Sequence, residues 1–374
     1  MTPHLIEDAE AMTRDGSLAG RYAAALAREG APALVANATS RPMLMRLGDH
    51  SLPVTVDDGG YGRSYVSSPH SAYVLYAREE MDMVGMTRGR LAARTAIGVL
   101  DGLLRAVRIN RAVHLDNWLL STNLHGDWDG AGLAGARALL ADRFPDHFLI
   151  LRSLDTWASP RLLEAARADG WLLLPSRQVW VVDYPARDWR PRNHTVRDRR
   201  ALVRSGLTVE DLTTINAGDA ERIAALYHML YVGRYSGLNP VFTPRFIAFT
   251  QEIGLLHHRV ARDPSGRIMA VVGVWARNGV ATPPVVGYDT ARPRNEALYR
   301  IASYLYSDWA MEHGMALHGS AGAGEFKRNR GSRGVIEYMA IHAGHLGPGR
   351  RAVVRGLSHL LERYAVPLMQ KEGW

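Results

Sequence analysis

Short apolar runs between turn signals predict strands at residues 43–47, 52–56 and 72–76, with Asp57-Asp58-Gly59-Gly60 as a strong turn. Residues 1–40 read as one or two short helices stopped by Pro32, with Ala23, Ala24, Ala25 and Leu26 on one side. Over residues 88–107 the period changes, and Leu91, Thr95, Val99, Gly102 and Ala106 fall at helical spacing. A strand at 112–120, a helix at 131–143 ended by Pro145, a strand at 148–151, a helix at 160–168 ended by Gly170 and strands within 171–184 follow. Helices alternating with strands in this way pack on a sheet, which predicts a mixed α/β (α+β) domain that closes near residue 185.

Residues 186–205 break the pattern, with seven arginines opposed by Asp188 and Asp198 alone. A charge run of this kind reads as a solvated, partly helical linker. Its arginine forks also match phosphate oxygens, and Trp189 can stack on a base, so the stretch doubles as a candidate phosphate-contacting surface through Arg197, Arg199 and Arg200. A second cycle then begins. It predicts a strand at 207–212, a helix at 218–231 with Asp219 and Glu221 near its N-terminus, and a helix at 243–252 capped by Thr243 with Pro244 in the first helical position. Strands at 258–262 and 268–276 are joined by Asp263-Pro264-Ser265-Gly266, and a strand at 284–288, a helix at 295–312, a strand at 335–341 and a helix at 350–364 complete the chain. The order of elements repeats although the residues do not. The organisation expected is therefore an N-terminal domain over 1–185, a basic linker over 186–205 and a C-terminal domain over 206–374.

Composition narrows the chemistry. The 374 residues are 47% hydrophobic and 22% charged, enough for two or three ordinary cores. The absence of cysteine excludes a disulfide framework, a thiolate zinc site and a cysteine nucleophile. The first residues, MTPHLIEDAEAMTRDG, are acidic where a secretion signal is basic, and no apolar run approaches the ~18 residues a membrane span requires, so a cytoplasmic location is expected. A net charge of +8 and a pI near 9.8 favour an anionic partner, or reflect an arginine-rich composition.

The residues 317–341, LHGSAGAGEFKRNRGSRGVIEYMAI, concentrate the candidate chemistry. Of 45 lysines and arginines only Lys327 and Lys371 are lysine, so a lysine here is not what composition supplies. Known motifs fail on this stretch. His318 stands where a nucleophile elbow needs glycine, Lys327 lies between Phe326 and Arg328 rather than in a Gly-Lys-Ser phosphate loop, and the histidines lack metal-binding spacing, so no metal is expected.

Ser320-Ala321-Gly322, Phe326-Lys327-Arg328, Gly331 and the strand from Val335 to Tyr338 together resemble the C-terminal signature of acyltransferases related to the Fem aminoacyl-tRNA-dependent peptidyltransferases, within the GNAT superfamily. The resemblance implies two GNAT-like domains in tandem and formation of an amide: an amine attacks an acyl group activated as a tRNA ester or a thioester. It implies no tightly bound cofactor. The co-substrate is an aminoacyl-tRNA, favoured by the basic surface, or an acyl-carrier-protein or CoA thioester, and the acceptor is a small-molecule or peptide amine, in specialised-metabolite biosynthesis. A non-catalytic tRNA- or protein-binding GNAT pair is the alternative of a different class. Arg328-Asn329-Arg330-Gly331-Ser332-Arg333 misses the last position of the usual acetyl-CoA pyrophosphate loop and precedes a strand rather than a helix.

On this resemblance Lys327 is carried over to the transfer site, stabilising an oxyanion or holding a phosphate as a point charge. Phe326 and Gly331 carry over as shape, and Arg328 and Arg330 as flanking contacts, the latter toward the donor. The attacking ammonium must lose a proton, and Asp289 is the first candidate, as base or as anchor of the acceptor, with Glu337 second and the neighbouring Tyr288 expected to contact substrate. Tyr235 and Asn239, in a loop with Tyr231 and Ser236, are expected to wall the acceptor site. Polar groups in residues 116–123 form a further candidate ligand site at a strand end.

Overall fold

The computed structural model describes residues 2–83 and 90–372. Twelve strands are present among them: β1 (His4–Ile6), β2 (Arg41–Leu47), β3 (His50–Asp58), β4 (Arg111–Leu115), β5 (Phe148–Asp155), β6 (Leu172–Val182), β7 (Thr208–Asp211), β8 (His257–Arg262), β9 (Ile268–Arg277), β10 (Val280–Tyr288), β11 (Ala316–His318) and β12 (Arg333–His342). The chain forms two compact units. Unit 1 comprises Met1–Ser176, Ser236–Val241 and Glu337–Pro367; unit 2 comprises Arg177–Tyr235, Phe242–Ile336 and Leu368–Trp374. These units are assembled from separate segments, unlike the contiguous division at 185 and 206 expected from the sequence.

In unit 1 the strands run in the order β1-β2-β3-β4-β5, followed by the Glu337–His342 part of β12. Neighbours are antiparallel except β4 and β5, which pair in parallel from Ala112↔Phe148 to Leu115↔Leu151. Helices cover both faces. Leu133, Ala136 and Leu140 of the helix Leu133–Arg143 and Leu162, Leu163 and Ala166 of Pro160–Ala168 pack on Val54, Val56, Val113, Leu115, Leu149 and Leu151. Leu104, Val107, Val354 and Leu357 cover Ala112, Phe148, Ile150, Met339 and Ile341 on the opposite face. Burial on both faces is why the first half of β5, residues 148–151, reads as a continuous apolar run with no alternation.

Unit 2 repeats the plan as β7-β8-β9-β10-β11, followed by the end of β6. Again only one pair is parallel, β10 with β11. The helix Leu298–Glu312 packs Ile301, Ala302, Leu305 and Trp309 on Ala270, Val272, Val274, Ala281 and Leu317. The final strand of each cycle serves the other unit: Val181 and Val182 of β6 pair with His318 and Leu317, while β12 pairs with β5 from Glu337 onward.

Some expectations change. Residues 72–76 are not a strand; Ser71–Leu75 form a π-helical turn that runs into the helix Tyr76–Met83, entered where Ser68 Oγ accepts the Ser71 N–H and Asn110 Oδ1 the His70 N–H. A five-residue apolar run fits either helix or strand, and these side-chain caps decide it. The strand expected at 112–120 stops at Leu115, because Asp116 and Leu119 adopt φ of 50° and 53°. Of the helix expected over 88–107, residues 88 and 89 lie outside the described residues and Arg90–Ala106 is helical. The predicted linker is ordered, forming Pro185–Asp188 and the 13-residue helix Asn193–Ser205 within unit 2.

Candidate active site

In unit 2 the parallel strands part company early. β10 and β11 are in register only at Val280↔Ala316 and Ala281↔Leu317, and among the described residues β10 then continues alone on that side to Tyr288. After Thr282 come Pro283 and Pro284, which cannot donate to a ladder, and the register with β9 also shifts between Thr282 and Val285. The sequence thus opens the sheet at a defined point. Gly287 lies along the freed part, where a Cβ would sit 2.7 Å from backbone atoms of Leu226 and Tyr227, so glycine lets the helix Ala217–Tyr227 pack flat against β10. That helix passes directly into the π-helical His228–Tyr235, which carries Tyr231, Arg234 and Tyr235.

The loop after β11 is held by Lys327. Its Nζ donates to the carbonyl oxygens of Gly319 at 2.6 Å, Ser320 at 3.2 Å and Ala321 at 2.8 Å. Gly319 N–H donates to Trp180 O at 2.7 Å and Trp180 N–H to Ser320 O at 3.2 Å, tying the loop to β6. Ser320 and Ala323 have φ of 57° and 50°, a conformation that costs a non-glycine residue about 1–2 kcal/mol each and needs outside support. Burial and the nearby Arg177 push the Lys327 ammonium down to about 7, whereas three carbonyl oxygens directed at it favour the charged form. All three of its hydrogens are thereby committed to the backbone.

Aromatic rings extend from this loop. The Phe326 ring lies 4.9 Å from Tyr299 and Tyr299 lies 5.9 Å from Tyr288, centroid to centroid. Arg234 Nη1 donates to Tyr288 Oη at 3.1 Å, and Tyr235, 43% exposed, stands 6.0 Å from Tyr231. Burial raises the phenols of Tyr235 and Tyr299, so both remain protonated donors at neutral pH. The guanidinium of Arg330 stacks 3.3 Å from the centre of the Phe326 ring and is itself gripped by Asp198 at 2.6 and 3.0 Å, with Arg300 on the same carboxylate at 2.6 Å.

The sequence-derived candidates therefore divide. Lys327, Phe326, Tyr288 and Tyr235 come together in unit 2. Arg328 is exposed, with its guanidinium 5.2 Å from the Trp180 ring. Arg330 is buried in its ion pair with Asp198 and is not part of an exposed basic surface, which corrects its assignment to donor contact; the aspartate embedded in the arginine run claims it. Arg197, Arg199 and Arg200 are exposed on the helix Asn193–Ser205. Asp289 is buried; burial alone would raise its pKa, but the Arg222 guanidinium at 2.8 Å and the Ala291 N–H hold it low, so it is a weak proton acceptor. Glu337 is buried on β12 opposite Asp155, in unit 1. Asn239 is buried in a turn of unit 1, its amide donating to Ser236 O at 3.1 Å. Gly331, at φ 88°, allows a close approach to Asp188 O that a Cβ would block.

Four contributors escaped the sequence reading. Tyr299, Arg234, Trp180 and Asp198 lie from 28 to 147 positions before Lys327, when the numbers are subtracted, and only the fold gathers them. A tyrosine just inside the helix after β10 was the one local signal for Tyr299.

In unit 1 the corresponding parallel pair is closed by a buried polar network. Where β4 ends, Asp116 accepts from Trp118 Nε1 and contacts His125 Nδ1, both at 2.8 Å, and the other His125 ring nitrogen faces Arg152 O at 2.8 Å. Asn117 donates to Thr55 Oγ1 at 2.8 Å, and Arg152 donates to the carbonyls of Leu120 and Ser121. The side chains of Asp116, Asn117 and Asn123, which suggested a ligand site, are engaged by partners within unit 1.

Among the described residues no group of histidine, aspartate and glutamate is placed to hold a metal, and no helix is long and apolar enough to cross a membrane. No family model and no curated protein matches the chain. Solved structures similar to it include L-PGS from Bacillus licheniformis, with 14% identity and a TM-score of 0.48 over 66% of this chain and 82% of that one. FemX is similar over 62% and 79%, with 10% identity and a TM-score of 0.45. A tandem GNAT protein from the clavulanic acid biosynthesis pathway is similar over 91% and 98%, with 12% identity and a TM-score of 0.38.

Proposed function

We propose that the protein is an N-acyltransferase that joins an activated acyl group to an amine at the opening between β10 and β11. The observation that carries the reading is the parallel pair that parts after Ala281, with the Lys327-bound loop leaving β11 beside the gap. An extended acyl donor finds unpaired backbone along β10 there, and the tyrosines and Arg234 offer a polar aromatic wall for the acceptor. Asp289 is paired with Arg222, so the reading gives the attacking amine no carboxylate base at that position.

An aminoacyl-tRNA is the favoured donor, supported by the net charge of +8 and by Arg197, Arg199 and Arg200, exposed along one helix. The test is incubation with charged tRNA, acyl-CoA or acyl-carrier-protein donors and a pool of amines, with mass spectrometry for a new amide. An amide formed only with charged tRNA supports the donor assignment; one formed only from a thioester overturns it while keeping acyl transfer. No amide with any donor overturns the proposed function.

A further inference from the structure

Each carbonyl that faces Lys327 also fixes the direction of an amide. In a trans peptide the C=O of one residue and the N–H of the next point to opposite sides. With the carbonyls of Gly319, Ser320 and Ala321 drawn onto Nζ, the N–H groups of Ser320, Ala321 and Gly322 are turned away from it. The first of these donates to His318 Nδ1 at 3.3 Å. Among the described residues neither of the other two has a hydrogen-bond acceptor. They are also reachable: Ala321 is half-buried, Gly322 is exposed, and the space where a Gly322 Cβ would stand is open.

Two adjacent free amides, backed by an ammonium whose partners are carbonyls rather than a carboxylate and by the charge of Arg177, make a positive, preformed donor pair. By register the loop continues from β11 at the level where β10 has lost its partner.

We infer that the amides of Ala321 and Gly322 bind the oxyanion of the reacting acyl group, and that Lys327 is a positioning residue behind them rather than a contact to substrate. The inference rests on the acyl-transfer reading for its chemistry. The amine nitrogen forms a bond to the acyl carbon, the carbonyl π pair moves onto oxygen, and the two N–H groups hold that charge. Collapse restores the C=O, breaks the bond to the leaving oxygen or sulfur, and the proton lost by the amine ends on that leaving group.

The experiment follows the backbone amides of ¹⁵N-labelled full-length protein by NMR while acetate and inorganic phosphate are added. Saturable shifts of Ala321 and Gly322 are expected in the wild type and their loss in Lys327→Met. Shifts of the Lys327 ammonium without the amides would place the anion on the lysine and overturn the inference. With an active donor and acceptor, Lys327→Met should lower kcat about 10²–10³-fold, the usual cost of losing an oxyanion donor, with KM within about twofold. A rise in KM alone would mean a ground-state phosphate contact and would also overturn it. Because Lys327→Met disturbs the loop, a second variant leaves the lysine in place: replacing Ala321 by lactic acid turns one N–H into an ester oxygen and should cost a similar factor in kcat, and wild-type turnover by it refutes the assignment. If no donor supports amide formation but the amides still respond to anions, the proposed function fails and the anion site stands.

Discussion

Replacing Asp198 by asparagine is the sharpest test of how the site is supported. The carboxylate is buried and takes three charge-assisted hydrogen bonds, two from Arg330 at 2.6 and 3.0 Å and one from Arg300 at 2.6 Å. An asparagine side chain would keep the volume but could accept through one oxygen only, leaving the buried Arg330 guanidinium without its counter-charge. Two unit charges about 4 Å apart attract by roughly 4 kcal/mol at an effective dielectric of 20. Removing one partner of a buried pair costs about 3–5 kcal/mol, because the other charge is stranded. We expect Asp198→Asn to lose about 3–4 kcal/mol in the urea unfolding transition that reports unit 2, with an unchanged m-value. Arg330→Met in the same background should restore part of the loss, since the stranded charge is gone. Because Arg330 stacks under the Phe326 ring, acyl transfer should fall with stability in the single variant. A cost under about 1 kcal/mol, the value of a surface pair, would refute the role of Asp198 as a buried anchor and return the stretch 186–205 to a solvated linker.

Other outcomes follow from the same structure. Gly287→Ala should destabilise the protein by about 1–3 kcal/mol, measured by thermal or urea denaturation, because its Cβ meets the backbone of Leu226 and Tyr227 at 2.7 Å. Charge reversal of Arg197, Arg199 and Arg200 to glutamate should leave stability within about 0.5 kcal/mol and abolish salt-dependent tRNA binding, measured by filter binding across a salt series; unchanged binding would remove that helix from the donor site. Asp57 is raised to about 7 chiefly by burial, against the Ser40 hydroxyl that donates to both of its oxygens. From about pH 4 to 7 the folded state therefore keeps a proton that the unfolded chain has lost, so this group's stabilisation is full at low pH and declines as pH rises, by on the order of 1.4 kcal/mol per unit. Asp57→Asn should flatten that decline in unfolding curves across pH. His114, pushed down to about 3 by burial, acts in the opposite sense below its unfolded pKa, so variant and wild type are compared at each pH.

Much of the architecture was legible because it is written in local chemistry. The Thr243 cap with Pro244 after it, the Asp263–Gly266 turn and the glycine ending the helix Pro160–Ala168 each appear as read. The repeated cycle of strands and helices was visible as an order of elements. Where local signals were ambiguous the reading failed: residues 72–76 are apolar in either state, and the break after Leu115 depends on a network that reaches from Thr55 to Ser153, far beyond any local window.

The sequence by itself singled out Lys327, since a lone lysine among arginines beside glycines is visible without any fold. It also carried, unrecognised, the reason for the opened sheet, because Pro283 and Pro284 lack the N–H that a closed ladder needs. What Lys327 touches was decided only in three dimensions. An ammonium offers three hydrogens to whatever the fold brings near, and here the fold brings three carbonyls of its own loop. The same holds for the basic stretch: charge counts along the chain cannot tell which arginine meets water and which aspartate is buried. Asp198 and Arg330, 132 positions apart, became partners only when the helix Asn193–Ser205 and the loop before β12 folded against each other within unit 2.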